Sequence, residues 1–173
     1  LRRGRPEPRL PRVVECERPR LTYSGAMSMS DHTEDSIKSF NAAIIEEFRA
    51  NHGRCGGALT GNPMLLLTTT GARTGKRRTT PLTYHADGAD FIVMASAGGS
   101  PVHPAWYRNL AADDHVVVEL GTERFSARAS TEVGAARREV FDRMVEELPR
   151  FADYQRDVDR EVPVVRIQRL AAS

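Results

Sequence analysis

The stretch that decides the fold lies at residues 64–85 and reads MLLLTTTGARTGKRRTTPLTYH. Residues 64–70 are an apolar run that ends in threonines, which is typical of a buried β-strand. Residues 77–85 have the length of a second strand, and the segment between the two, residues 71–76, contains two glycines and predicts a loop. The sequence therefore predicts two strands joined by a short, charged turn.

Four more strands are expected further along the chain. Asp87-Gly88 is a hairpin turn signal, and Gly121 separates another pair of strands. The six predicted strands are residues 64–70, 77–85, 91–95, 116–120, 123–129 and 162–167. Because they do not alternate with long helices, they argue against a doubly wound sheet. The expected fold class is α+β, a six-stranded antiparallel β-barrel with three to four flanking helices.

Helices are predicted before, between and after these strands. The first is closed by Asn51-His52-Gly53, a short one begins with Pro104 as its first helical residue, and a third covers residues 133–148, where Pro149 limits it and a helical turn follows. The residues expected to face the core are Ile37, Phe40, Ile44 and Phe48 on the first helix, and Ala136, Val140, Met144 and Leu148 (or Phe141) on the third.

The first thirty residues differ from the rest in composition and charge. They hold seven arginines, three acids and four prolines, a net charge of +4, so residues 31–173 carry −2 of the overall +2. We expect residues 1–30 to be a disordered basic extension and residues 31–173 to be one folded domain, since the extension has almost no apolar periodicity. Met27 or Met29 is the expected natural start. A basic arm that touches anionic lipid or nucleic acid is the alternative interpretation of this extension.

The bulk composition excludes several classes of protein. The slightly acidic domain gives no overall nucleic-acid footprint. The longest apolar runs are four or five residues, so no integral membrane segment is expected, and no secretory signal follows the arginine-rich start. Cys16 and Cys55 form neither a metal motif nor a disulfide framework, which fits a cytoplasmic protein. His32, His52, His85, His103 and His115 lack metal-ligand spacing, and no metal is expected.

The predicted turn and the start of the following strand concentrate positive charge. Its cations are Arg73, Lys76, Arg77 and Arg78. Glycines free the backbone to present N–H groups, and guanidinium groups bind phosphate or carboxylate bidentately, so this is a candidate anion-binding turn. It lacks the order of a Walker loop. A solvated charged hairpin is the alternative interpretation.

A second candidate segment, residues 95–110, begins at a strand end with small residues and two glycines. Such a strand end allows a flat ring to approach the backbone closely, and the short helix that follows brings Trp106 and Asn109. Taken alone, this segment equally fits a glycine-rich turn anchored in the core by its tryptophan.

Together the two segments resemble the deazaflavin-dependent nitroreductase family. The resemblance spans roughly residues 57–170, and its motifs occur in the family's order. The residues that carry it are Leu66 to Gly71, Arg73-Thr74-Gly75, Arg78, Pro81-Leu82, Gly98-Gly99, Pro104, Trp106-Tyr107, Asn109-Leu110, Tyr154-Gln155, Asp159-Arg160 and Val162 to Val165. The family implies a split β-barrel of the flavin and deazaflavin oxidoreductases, with coenzyme F-420, a deazaflavin bearing a phosphate and an oligoglutamate tail, as its cofactor.

The resemblance assigns roles to individual residues. Arg73, Thr74 and Arg78, with Lys76 as a helper, would hold the phosphate and tail. The segment running beside the coenzyme would be Thr79, Thr80, Pro81, Leu82 and Thr83, and the residues bordering the deazaflavin would be Ala95, Ser96, Ala97, Gly98, Trp106 and Asn109. Tyr154 and Ser96 are the candidate catalytic donors, which would stabilise and protonate the reduced substrate.

The chain also departs from the family pattern. Relatives commonly have lysine at the position of Ala97, and the nitroimidazole-activating relatives have tyrosines where Leu148 and Phe151 stand. The expected function is hydride transfer from reduced F-420 to an electron-poor small molecule such as an enone, quinone or nitroaromatic, by a monomer or homodimer. The alternatives are a flavin mononucleotide (FMN) enzyme on the same barrel and a non-catalytic F-420 carrier.

Overall fold

The hairpin at residues 64–85 forms as predicted. Its first strand, β1 (Met64–Thr70), pairs antiparallel with β2 (Arg77–Asp87), in a register that runs from Met64 opposite Thr83 to Thr70 opposite Arg77. The apolar run supplies the buried strand, because six of its seven residues are buried. The polar segment between them forms the connecting turn.

The structure is a computed structural model that describes residues 34–171. The predicted extension at residues 1–30 lies outside the described residues. Within them the remaining elements are α1 (Glu34–Ala50), β3 (Asp90–Met94), α2 (Ala105–Leu110), β4 (His115–Leu120), β5 (Glu123–Thr131), α3 (Gly134–Glu147), α4 (Arg150–Arg156) and β6 (Val164–Arg169), with short 3₁₀ turns at Gly57–Leu59 and Ala97–Gly99.

The six strands close into a barrel. Their order is β1-β2-β3-β6-β5-β4, and β4 pairs back onto β1, so every neighbouring pair is antiparallel. Closure leaves no strand edge unpaired. The predicted fold class, an antiparallel six-stranded barrel with helices outside, is confirmed.

Side-chain alternation along each strand divides the core into an inner and an outer part. Leu65 and Leu67 point into the barrel, where they meet inward residues of the other strands. Leu66 points outward and packs under Ile44 and Phe48 of α1. On the other side of the barrel, α3 and α4 cover the outward residues of β3 and β6. The helices therefore lie on the barrel surface and leave its ends open to loops.

The first helix ends as the sequence predicts. The Gly53 N–H donates to the Phe48 carbonyl at 2.8 Å, and His52 takes a positive φ of 54°, which together form a C-terminal cap. One member of the predicted apolar stripe departs from it, since Phe40 is 60% exposed.

Three other local predictions are wrong in detail. Pro104 is not the first helical residue of α2 but the residue before it, with an extended ψ of 151°. The last strand is shifted two residues along the chain, to Val164–Arg169. On α3 the predicted core residue Ala136 is exposed and Arg137 is buried instead. The arginine takes that place because its guanidinium finds buried acceptors, described below.

No helix in the described part of the chain combines the length and apolarity needed to cross a membrane.

Candidate functional site

The turn between β1 and β2 is closed by its own backbone. Gly71 N–H donates to the Lys76 carbonyl at 2.9 Å, Gly75 N–H donates to the Gly71 carbonyl at 2.8 Å, and Lys76 N–H reaches the Thr74 hydroxyl at 3.3 Å. A Cβ at residue 71 would lie 2.8 Å from Thr74 Oγ1 and 3.1 Å from the Lys76 carbonyl oxygen, so a larger residue there would have to displace the Thr74 side chain. Most backbone N–H groups of the turn are thus already hydrogen-bonded within the protein. The prediction that they are free to bind an anion is wrong for these residues, and anion binding depends on the side chains of the turn.

Those side chains are exposed and positively charged. Arg73, Lys76, Arg77 and Arg78 are all exposed, and none forms an ion pair with a carboxylate among residues 34–171. Most other cations of the barrel surface do have such partners, as Arg49 does with Glu119 at 2.6 Å. A cluster of like charges without counter-charges attracts anions. The side chains of the candidate anion-binding turn are therefore free to bind an anion.

Asn109 ties this turn to the rest of the candidate site. Its amide nitrogen donates to the Thr69 hydroxyl at 3.0 Å, and its amide oxygen accepts from the Ala72 N–H at 3.1 Å. Asn109 lies on α2 and is 9% exposed. Both ends of its amide are therefore used inside the protein, and these hydrogen bonds hold the turn beside α2. Direct contact with the coenzyme stays a prediction.

The register separates the predicted coenzyme-binding residues of β2 onto two faces. Residues directly opposite each other in an antiparallel pair share a face. Arg78 lies opposite Thr69, on the side where Asn109 binds, whereas Arg77 lies opposite Thr70 and borders a shallow groove with His115. One face carries Arg78, Thr80 and Leu82, and the other carries Thr79, Pro81 and Thr83. A single flat ligand cannot meet all of these side chains.

Two of these threonines already have partners within the protein. Thr79 shares a hydrogen bond of 2.8 Å with Thr68, and Thr83 accepts one of 3.0 Å from Arg150 on α4. Their hydroxyls are therefore less available to a ligand than the arginines of the turn.

The end of β3 has an unusual backbone. Ala95 and Ser96 are buried, and the next three residues, Ala97, Gly98 and Gly99, have positive φ angles of 48°, 62° and 83°. Glycine adopts this region freely, but alanine at such an angle costs about 1–3 kcal/mol. Residues 95–99 contribute no bulky side chain of their own to their surroundings.

Arg160 holds this segment from the C-terminal side. Its Nη2 donates to the carbonyls of Ala95 at 3.2 Å and Ser96 at 3.0 Å, and its Nε donates to the Ser100 carbonyl at 3.0 Å. Its Nη1 lies 3.1 Å from His103 Nδ1. Burial, followed by the cations of Arg160 and Arg108, lowers the pKa of His103. The ring is therefore neutral near pH 7, and Nδ1 accepts a hydrogen bond from the arginine.

The two candidate catalytic hydroxyls flank the same segment. Ser96 is 6% exposed and begins the 3₁₀ turn, while Tyr154 on α4 is half-buried and lies against Gly99, where a Cβ would be 3.6 Å from Tyr154 Cδ1. Neither hydroxyl forms a hydrogen bond with any residue that the structure describes. Both groups are available to donate to a ligand.

The neighbours of Tyr154 are apolar. Phe151 is 6% exposed and packs edge-to-face on the Tyr154 ring, with centroids 5.7 Å apart. Leu148 is half-buried in the same outer cluster. Of Leu148, Phe151 and Tyr154, only Tyr154 therefore offers a phenol hydroxyl.

Trp106 occupies the barrel interior. It is 5% exposed and packs in the inner cluster with Ala95, Leu65 and Leu67. This placement matches the core-anchor interpretation of the glycine-rich segment, and little of the ring surface is left for a ligand. Its contact with the coenzyme stays a prediction.

Three further polar residues support the strand end and α3 without a role predicted from the sequence: Arg160, Gln155 and Arg137. Gln155 donates to the Arg160 carbonyl at 2.9 Å, and its amide oxygen accepts from Val162 N–H and from Arg137. Arg137 also donates to the Val162 carbonyl at 2.7 Å. A signal existed for Arg137, since its spacing from Val140 and Met144 places it on the buried face of α3. The partners of Arg160 come from segments about sixty residues earlier, which spacing does not indicate.

One group of possible metal ligands is present elsewhere. Asp113, Asp114 and His115 bring their ligand atoms close together. These groups contact one another and Arg128, with His115 Nδ1 at 3.0 Å from Asp114 and Arg128 at 3.4 Å from the same carboxylate. Because Arg128 offsets one of the two carboxylates and exposed acidic groups are common without an ion, we infer no metal site from this cluster.

The residues present fit coenzyme F-420. A phosphate and an oligoglutamate tail need several cations that are not already neutralised, and the β1–β2 turn provides them. A flat deazaflavin needs a strand end without bulky side chains, which residues 95–99 provide. The short α2 contacts both parts, because Asn109 binds the turn and Trp106 packs with Ala95. That the cations and the strand end form one coenzyme site stays a prediction.

Comparisons with known proteins agree with this fit. The profile of the F420H(2)-dependent quinone reductase family matches residues 42–168. The chain is 39% identical over 129 residues to the F420H(2)-dependent quinone reductase of Mycobacterium tuberculosis (strain ATCC 25618 / H37Rv), covering 70% of this chain and 85% of that protein.

Two solved structures resemble the barrel. One is an F420-H2 dependent reductase, FDR-A, with a TM-score of 0.57 and 36% identity over 61% of this chain and 94% of that one. The other, described as a domain-swapped dimer, has a TM-score of 0.59 and 32% identity over 78% of this chain and 98% of that one. The comparisons do not favour the FMN enzyme or the non-catalytic carrier. The family inferred from the residues is confirmed: the chain belongs to the F420H(2)-dependent quinone reductase family.

Proposed function

We propose that this protein is a reductase that uses reduced coenzyme F-420 to reduce a quinone or a similarly electron-poor small molecule. The observation that carries the proposal is the cluster of cations on the β1–β2 turn, which have no counter-charges among residues 34–171 and which Asn109 ties to α2. The family membership supports the same coenzyme.

The chain's own part in the reaction is binding, orientation and proton supply. Arg73, Lys76 and Arg78, with Thr74, would hold the phosphate and tail. Residues 95–99 would border the ring. The bound, reduced coenzyme supplies a hydride, which is chemistry that the protein does not perform itself.

A donor is needed where negative charge develops on the substrate oxygen. Tyr154 and Ser96 are the candidates, because Ser96 belongs to the strand end, the Tyr154 ring lies against Gly99, and neither hydroxyl has a partner within the described residues. A hydroxyl placed there can stabilise the charge by a hydrogen bond and deliver a proton.

Quinones are the substrate class that the relatives' names support. Activated alkenes remain candidates on chemical grounds, since they accept hydride at an electron-poor carbon. We expect nitroimidazoles to be poor substrates because Leu148 and Phe151 have no hydroxyl groups.

We also infer that the enzyme works in the cytoplasm as a monomer or homodimer, without nucleic acid. The scarcity of cysteine and the slightly acidic charge of residues 31–173 support this. A relative described as a domain-swapped dimer supports the dimeric option. Sedimentation of the purified protein tests it, and a larger assembly would contradict it.

The proton-donor assignment is tested by kinetics with pre-reduced F-420 and a soluble quinone. We expect Tyr154→Phe or Ser96→Ala to lower kcat by about ten- to a hundredfold while leaving the affinity for the coenzyme near wild type. Tyr107→Phe is the matched control, because its hydroxyl contacts Thr131 on β5, away from the strand end. If neither site variant differs from this control, water supplies the proton and the assignment is wrong.

A further inference from the structure

The Arg160 guanidinium joins the two sides of the strand-end segment, residues 95–100. It adds to the backbone hydrogen bonds of the 3₁₀ turn, in which Gly99 N–H donates to the Ser96 carbonyl at 3.0 Å and Ser100 N–H to the Ala97 carbonyl at 3.2 Å. Three of its acceptors are carbonyls, at Ala95 and Ser96 before the segment's positive-φ residues and at Ser100 after them. The fourth is the His103 ring, at the entry to α2. All three guanidinium nitrogens are used.

Arg160 has no carboxylate partner among the residues described. This distinguishes it from Arg166 on the same side of the barrel, which binds Asp87, Asp90 and Glu132. Burial lowers the pKa of Arg160, and no nearby acid offsets this. A half-buried arginine held only by carbonyls and an imidazole is used for its hydrogen-bond geometry, and not for an ion pair.

The segment that Arg160 spans needs such a constraint. Ala97 has a φ of 48°, in a region that residues other than glycine seldom adopt. Strained backbone of this kind persists only when its surroundings hold it in place. The hydrogen bonds from Arg160 reach the carbonyls on both sides of Ala97, and they therefore fix the conformation that the alanine itself disfavours.

We propose that Arg160 is a positioning residue for the coenzyme site: it fixes residues 95–100 in the conformation that borders the ring. The inference rests on the proposed function, because it concerns the same site. It gives a role to a residue that contacts neither the anion-binding turn nor the candidate proton donors' hydroxyls.

Arg160→Lys separates geometry from charge. Lysine keeps the positive charge, but one ammonium group cannot reach four acceptors spread from Ala95 to His103. We expect the Kd for F-420, measured by fluorescence quenching, to weaken by about tenfold or more in both Arg160→Lys and Arg160→Gln. Recovery of wild-type Kd by Arg160→Lys alone would overturn the proposal, because it would show that charge suffices.

Two controls separate positioning from loss of stability and from loss of surface charge. Arg166→Gln removes an arginine that binds three carboxylates, so it should lower the melting temperature and leave the Kd unchanged. Arg156→Gln removes an exposed charge on α4 that pairs with Asp153, and it should change neither the melting temperature nor the Kd for F-420. If Arg166→Gln weakened the Kd as much as Arg160→Lys, the effect would be general destabilisation and the proposal would fail.

A second substitution tests the link to backbone strain. Ala97→Gly relieves the cost of the positive φ, so in the Arg160→Lys background it should tighten the Kd by about threefold or more. No recovery would show that Arg160 does not act through this segment. Should Arg160→Gln fail to fold, Arg160→Lys keeps the charge and loses the guanidinium geometry, and an unchanged Kd in that variant would still overturn the proposal.

The outcome also distinguishes this inference from the proposed function. If the wild-type protein does not bind F-420, the proposed function fails. If it binds F-420 and the Arg160 variants bind as tightly, only the positioning role fails.

Discussion

Arg77 and Arg78 are neighbours in sequence but face opposite ways on β2. Arg78 lies opposite Thr69, on the side held by Asn109, and Arg77 lies opposite Thr70, toward β4 and β5. Strand alternation alone was enough to predict this difference, because successive side chains of a strand point to opposite faces.

This alternation makes the anion-binding turn testable at single residues. Arg73→Ala and Arg78→Ala should each remove a charge-assisted contact of roughly 1.5–3 kcal/mol, which corresponds to about a ten- to hundredfold weaker Kd for F-420. The loss should shrink at high salt, because exposed charges are screened. Arg77→Ala serves as the control and should stay close to wild type.

The pattern of losses decides between a shaped site and diffuse attraction. Equal losses for all three arginines in the same titration would mean that only overall positive charge matters. No loss in any variant would show that the turn does not hold the coenzyme.

At the scale of elements, Asn109 makes α2 the connection between the turn and the barrel. Asn109→Ala would leave the Ala72 N–H and the buried Thr69 hydroxyl without their partner. We expect a loss of stability of about 1–3 kcal/mol, seen in denaturant unfolding, together with weaker F-420 binding because the turn is released.

Arg108→Ala is the matched control for this helix. Arg108 is exposed on α2, and its side chain forms no hydrogen bond or ion pair within residues 34–171. Its removal should leave both stability and Kd nearly unchanged. If Asn109→Ala behaves like Arg108→Ala, the turn does not depend on this tether.

Hydrophobic periodicity and turn residues were sufficient to predict most of the elements. The hairpins at Gly88 and Gly121 and the helix ending near Gly53 follow from local sequence, because each depends on residues close together in the chain. The errors arise where tertiary contacts decide. Arg137 displaces Ala136 from the core face of α3 because the Val162 carbonyl and Gln155 offer it acceptors.

The candidate site was less predictable than the fold. Its cations and small residues are visible in the sequence as a turn and a strand end. Their connection is not, because Asn109 reaches back about forty residues to Thr69 and Ala72, and Arg160 reaches back more than sixty to Ala95 and Ser96. Contacts over such separations depend on barrel closure, which local patterns do not encode.

At the scale of the whole molecule, the barrel and its helices are built from residues 34–171. We propose that residues 31–173 form the oxidoreductase domain and that residues 1–30 are not needed for its folding, since that extension has almost no apolar periodicity to pack against the barrel.

Removal of residues 1–26 tests this division of the chain. Both the melting temperature and the Kd for F-420 should stay within error of the full chain. A clear fall in melting temperature on truncation would show that the extension packs on the domain.

We expect this barrel to bind a deazaflavin in preference to a flavin. The most direct measurement is a side-by-side titration of the full chain with F-420 and with flavin mononucleotide, following the fluorescence of each. Both carry a phosphate, but only F-420 adds the anionic tail that the cations of the β1–β2 turn can hold. We predict that F-420 binds at least about tenfold more tightly, a difference of roughly 1.4 kcal/mol. Tighter binding of flavin mononucleotide would contradict the account.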